Sequence, residues 1–136
     1  MDWKLGLIII PVSDVDRSKT YYADQLGFTV QVDFAPSESF RVVHVIPPGS
    51  ACAVAFGTGL SDLEPGSAKG MHLMVDDIVA AHDILVSNGV NPNALYHFVD
   101  GAQVPGAHPD RGPFETFFDF ADPDGNVWVV QEVPAS

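Results

Sequence analysis

The chain has 136 residues, 46% of them hydrophobic and 18% charged, and 18 Asp plus Glu outweigh 6 Lys plus Arg to give a net charge of −12. That length fits one compact domain that buries about two-thirds of its unfolded surface, which excludes a multidomain assembly and disorder. The charge is opposite to the basic footprint that nucleic acid requires.

Cys52 is the single cysteine, so neither an intrachain disulfide nor a multi-cysteine zinc site can form. The longest apolar run, Leu5 to Val12, contains Gly6 and Pro11 and falls far short of the roughly twenty residues a membrane span needs. Met1-Asp2-Trp3-Lys4 carries no secretory signature. The expectation is a cytoplasmic protein with no membrane and no nucleic-acid partner.

In chain order, Leu5 to Val12 reads as a strand buried on both faces. Ser13 or Asp14 caps a helix over about 14–26, with Val15, Tyr22 and Leu26 on one face and Gly27 ending it. Three β-rich runs follow, Phe28 to Phe34, Phe40 to Ile46 and Ala51 to Gly57. A Gly/Ser/Pro-rich stretch from Thr58 to Lys69 then reads as a linker between modules of about 5–57 and 70–133 within one domain.

The pattern restarts with a strand at Met71 to Val75, an Asp76-Asp77 cap and a helix over about 77–88 that Asn88-Gly89 ends. A strand near Leu95 to Val99, a loop from Asp100 to Pro113, and strands at Phe114 to Phe120 and Val127 to Val133 complete it. Asp122-Pro123-Asp124-Gly125 is a type I turn signal between the last two. Val12-Ser13-Asp14-Val15 answers Val75-Asp76-Asp77-Ile78, and Leu26-Gly27-Phe28 answers Asn88-Gly89-Val90, an internal repeat.

With Pro11 to Ser18, Tyr21-Tyr22, Leu26-Gly27-Phe28, His72 to Ile78 and Asp122 to Asn126 in this order, the sequence resembles the vicinal oxygen chelate superfamily. That superfamily includes glyoxalase I, bleomycin-resistance proteins, fosfomycin-resistance enzymes and extradiol dioxygenases. The resemblance implies an α/β (α+β) fold, two β-α-β-β-β modules forming a curved mixed sheet around a cleft, commonly in a homodimer. Metal-using members place ligands ahead of each helix, near the end of the fourth strand and after the Asp-Pro-Asp-Gly turn. The corresponding residues here are Leu7, Gly70, Phe56 and Val129. None supplies the nitrogen or carboxylate oxygen that a divalent ion needs at about 2 Å. The resemblance therefore carries the fold without the metal chemistry, and no cofactor is expected.

Alternation along the strand puts His72 on the face of Gly70, making it the leading polar candidate for ligand contact or acid/base work. The competing reading is a core histidine satisfied by backbone. Gln131 shares the face of Val129 and offers an amide. His44 lies mid-strand, where parity alone does not choose a face. His82 reads as solvent-facing on its helix, His97 and His108 as surface residues beside the long loop, and Cys52 as an inert buried thiol. A displaced site from His72, His44 and Glu132 or Asp119 is opposed by alternation, which sends Glu132 away from Val129.

Phe114, Phe117, Phe118 and Phe120, with Phe56, Trp3 and Trp128, supply aromatic surface shared between core and site. The loop from Asp100 to Pro113 is a lid or a surface and dimer contact. The expected function is a metal-free protein that sequesters a small apolar or aromatic ligand, with Leu7, Phe56, Gly70, His72, Val129 and Gln131 lining its site. The alternative is a lyase, isomerase or dioxygenase-type enzyme using His72 as acid/base or a relocated metal site.

Overall fold

A computed structural model describes residues 1–135. The backbone divides into two compact units, one made of Met1–Ala68 with Asp122–Asn126, the other of Lys69–Ala121 with Val127–Ser136.

The first unit carries β1 (Leu7–Ile9), α1 (Val15–Thr20), β2 (Thr29–Ser37), β3 (Phe40–Ile46) and β4 (Ala53–Thr58), in the sheet order β1-β4-β3-β2. β1 runs parallel to β4 and the remaining neighbours are antiparallel. Asp14 caps α1 by accepting from the Arg17 N–H. The helix expected over 14–26 changes character after Thr20. Tyr21–Gln25 forms a π turn in which the Leu26 N–H reaches the Tyr21 carbonyl at 3.0 Å. The widened turn sends Tyr21 and Tyr22 inward together, edge to face at 5.3 Å, and Gly27 (φ 76°) ends it as expected.

β1 begins at Leu7 and lies at the sheet edge with alternating burial, which corrects the reading of a strand buried on both faces. The alternation comes from the register Ile8↔Val54↔Val45. It places Ile8 with Val54, Phe56, Val43 and Val45 on one face, and Leu7, Ile9, Ala55 and His44 on the other. The first set is the core under α1, where the Tyr22 ring lies 5.6 Å from Phe56 and 5.9 Å from Phe28.

The Asp122–Asn126 turn belongs to this first unit, not to the second half of the chain that flanks it in sequence. Gly125 (φ 97°) closes it with an N–H to the Asp122 carbonyl at 3.0 Å, as the turn signal predicts. Buried Asp122 accepts from the Tyr22 hydroxyl at 2.7 Å and from the Asn126 amide at 2.8 Å. Asn126 also donates to the Pro11 carbonyl and accepts from the Ala68 N–H. Four segments distant in sequence thus share one buried polar network, in which each group has a partner.

The second unit repeats the topology. β5 (Met71–Val75), α2 (Ile78–Ser87), β6 (Tyr96–Val99), β7 (Ala102–Pro105), β8 (Phe117–Ala121) and β9 (Val127–Glu132) form the order β5-β9-β8-β6-β7. Asp77 caps α2 through the Ala80 N–H. β7 is a departure from the expected loop. Residues 102–105 double back on β6 as an edge hairpin, which turns on Asp100 and Gly101, both at positive φ. β8 starts at Phe117 because Phe114 is held at φ 62° while its N–H bonds the Glu132 carbonyl, a backbone that cannot continue a strand. The architecture is two mixed sheets, of four and five strands. No helix among the described residues is long and apolar enough to cross a membrane.

Candidate functional site

The register of the second sheet sorts its residues without ambiguity. α2 covers the face of Phe118, Phe120, Trp128, Val130 and Glu132, with His82 edge-on to Phe118 at 5.0 Å and Phe120 stacked on Trp128. The opposite face carries two rows, His72–Val129–Asp119 and Met74–Gln131–Phe117–Tyr96, each running across the strands through direct Cα partners.

On this face Tyr96, Phe98 and Phe117 form an aromatic cluster. Tyr96 stacks on Phe117 at 5.6 Å, and Phe98 meets both rings edge to face at 5.7 and 5.6 Å. β6 pairs with β8 at a single position, Tyr96↔Phe117. Beside that pair lies a depression of about 420 Å³ lined by Asn93, Ala94, Leu95, Tyr96, Gln103, Pro105 and Asp119. The Tyr96 hydroxyl donates to Asp119 Oδ1 at 2.6 Å, and burial together with the adjacent carboxylate pushes the phenol pKa well up, so it stays a donor.

His72 is exposed, and its Nδ1 lies 2.9 Å from the Gly70 carbonyl. A carbonyl only accepts, so Nδ1 carries the hydrogen and neutral His72 presents Nε2 as an acceptor. Val129 is half-buried, Gln131 buried, and Gly70 sits at φ 82° with open space where a side chain would be. The structure therefore brings His72, Val129 and Gln131 onto one face with Asp119 and the aromatic cluster.

In the first unit the expected residues separate. Leu7 lies on the face away from α1, 41% exposed, while Phe56 points under the helix with 0% exposure. Phe56 is a core residue, which corrects its expected place on a ligand-lining surface. His44 shares the face of Leu7 and Ile9.

Other expectations also change. His82 is half-buried and donates to the Asn93 carbonyl instead of facing solvent. His97 is buried against the Gly106 carbonyl and packs edge-on to His108, which lies 2.8 Å from Glu115. Neither is a bare surface histidine, since His97 is buried against the Gly106 carbonyl and His108 is paired with Glu115. Cys52 is half-buried at the entry to β4. Trp3 is 88% exposed and Trp128 2%, so neither joins the aromatic cluster. Glu132 faces α2, as alternation requires. It accepts from the Ile78 N–H at 2.9 Å and from Arg111 at 2.6 and 3.1 Å, and the guanidinium holds its carboxyl below the usual range. Sequence reasoning missed Tyr96 and Phe98, whose signal was aromatic alternation in Tyr96-His97-Phe98, and Gln103, which only the hairpin brings near.

At the four places where the resemblance implies metal ligands, the side chains are hydrocarbon or absent, and Phe56 is sealed in a core. This donor set does not fit a divalent ion. His108, Asp110 and Glu115 bring potential ligand atoms within 4.8 Å of one another elsewhere, on the segment before β8.

The model of the Glyoxalase/Bleomycin resistance protein/Dioxygenase superfamily matches residues 4–130, and the chain belongs to that superfamily. Among solved structures it is similar to TnmS3, an antibiotic binding protein from Streptomyces sp. CB03234. The two are 27% identical, 98% of each chain is covered and the TM-score is 0.75. A superfamily member from Sphaerobacter thermophilus DSM 20745 is also 27% identical, over 96% of this chain and 98% of that one, with a TM-score of 0.74. YetH of Bacillus subtilis (strain 168) is 23% identical over 136 residues, covering 95% and 98% of the two chains.

Proposed function

We propose that this protein binds a small organic molecule with an aromatic or apolar body, without a metal ion, on the α2-free face of its second sheet. The observation that carries the reading is the Tyr96–Phe98–Phe117 cluster beside a depression of about 420 Å³, a volume in the range of small-ligand sites, which Tyr96 lines. Tyr96 and Phe117 are half-buried and Phe98 is exposed, so the cluster presents flat ring surface for stacking. Val129 puts methyl groups between His72 and Asp119, and Gln131 adds a hydrogen-bonding amide to the neighbouring row. The likeness to an antibiotic binding protein supports a sequestering role over a catalytic one. The protein works as a homodimer in the cytoplasm in this account, since Met74, Phe98, Leu7, Ile9 and Phe34 expose apolar surface in the single chain.

Titration with a panel of planar aromatic antibiotics, followed by amide and side-chain chemical-shift mapping, tests the assignment. Shifts concentrated at His72, Tyr96, Phe117, Asp119 and Gln131 are the expected result. Shifts confined to the α2 side of the sheet, or stoichiometric bound metal by elemental analysis, oppose it.

A further inference from the structure

The charges around the depression narrow the ligand further. Among its lining residues Asp119 is the one carboxylate, and no lysine, arginine or histidine lines it. Asp119 is half-buried, with Oδ1 engaged by the Tyr96 hydroxyl and Oδ2 without a hydrogen bond among the described residues. That second oxygen is free to accept a hydrogen bond from an incoming donor.

Four of the chain's six lysines and arginines are engaged in ion pairs elsewhere. Arg17 pairs with Asp124, Lys19 and Arg41 with Asp33, and Arg111 with Glu132. His72 on the same face is separated from Asp119 by the whole of β9, about 10 Å across two strand spacings. Around the carboxylate, Tyr96 and Phe117 present ring surface, which attracts a cation electrostatically as well as stacking on an aromatic body. The net charge of −12 steers positively charged ligands toward the protein and repels anionic ones.

We propose that the depression selects ligands in which a protonated amine adjoins an aromatic body, with Asp119 receiving the ammonium and the Tyr96–Phe117 pair receiving the ring. This rests on the small-molecule reading above and adds the ligand's charge to it. The Tyr96 hydroxyl is a positioning group, since it fixes the carboxylate from one side and leaves the other oxygen for the ligand.

Three probes sharing one ring test it by calorimetric titration: 2-naphthylmethylamine, 2-naphthylmethanol and 2-naphthoate. A charge-assisted bond predicts that wild-type protein binds the amine at least about tenfold tighter than the alcohol, with the carboxylate weakest. The ratio of amine to alcohol affinity falls as salt rises. It collapses toward one in Asp119→Asn and survives in Tyr96→Phe, where the carboxylate remains. Should Asp119→Asn fail to fold, the salt series on wild type and the Tyr96→Phe ratio still decide the matter. Equal binding of amine and alcohol by wild type overturns the charge assignment and leaves the small-molecule reading standing. No binding of any probe at millimolar concentration overturns both.

Discussion

Leu7 and Phe56 lie on opposite faces of the first sheet, one 41% exposed at its edge and the other fully buried beneath α1. Because side chains alternate, an error of one position along β4 moves a residue from site to core. Ala53, Ala55 and Gly57 are the β4 residues on the face of Leu7 and His44. Replacing Phe56 by Ala accordingly acts on stability, costing about 3–5 kcal/mol as a buried aromatic truncation. Chemical denaturation checks this, with ligand affinity per folded molecule preserved.

His72 contributes no packing, so His72→Ala is expected to leave unfolding within about 0.5 kcal/mol of wild type. Affinity for an aromatic ligand that the titrations identify is expected to fall several-fold. Unaltered affinity would remove His72 from the site.

Val129→Glu places a second carboxylate directly opposite Asp119 across β8 and β9. Like charges at paired strand positions repel, at a cost of about 1 kcal/mol, and the new carboxyl is expected to titrate above the ordinary range. The destabilisation grows as pH rises through that titration, which a pH series of denaturation curves reads directly.

How much of this was legible in the sequence follows from what each signal depends on. Asp14, Asp77 and the Asp122–Gly125 turn announce themselves because caps and turns are local chemistry. Faces required register, which is set by pairing between distant strands. Parity could not place His44, and the correspondence with the superfamily's fourth-strand position put Phe56 on the wrong face. β7 stayed hidden because Ala102-Gln103-Val104-Pro105 is short, is flanked by glycine and ends in proline, the composition of a loop. With it went Gln103 and the depression. The turn at Asp122 was recognised, yet its buried partner Tyr22 lies 100 residues away and only the tertiary structure joins them.

That partnership is testable. Tyr22→Phe leaves buried Asp122 short of one donor and is expected to cost about 1.5–3 kcal/mol. Asn126→Ala loses bonds to Pro11, Ala68 and Asp122 together and is expected to cost more. Equal stability of either variant and wild type in urea contradicts the network.

Acid sensitivity follows from carboxylates held low by cations. Arg111 lowers Glu132, and Arg41 with Lys19 lowers Asp33. Their unfolded counterparts titrate near pH 4, so below that the unfolded state binds more protons than the native one. Stability is expected to be fully present above about pH 5 and to fall as pH drops through the lowered values. Denaturation midpoints that rise on acidification would reverse the sign and refute the pairing.

Light scattering at micromolar concentration is expected to give twice the chain mass of 14.6 kDa. A stable mass of one chain would show that the exposed apolar residues are not covered by a second copy.

Ligand-linked stability tests the central claim most directly. Unfolding of the wild-type protein is measured against a panel of planar aromatic compounds, and the best of these at about 100 times its Kd is predicted to add about 2.7 kcal/mol. Phe117→Ala, which removes the ring shared by Tyr96 and Phe98, is predicted to lose most of that gain. A panel in which no compound stabilises the protein, or a gain undiminished in Phe117→Ala, would contradict a ligand site on the α2-free face.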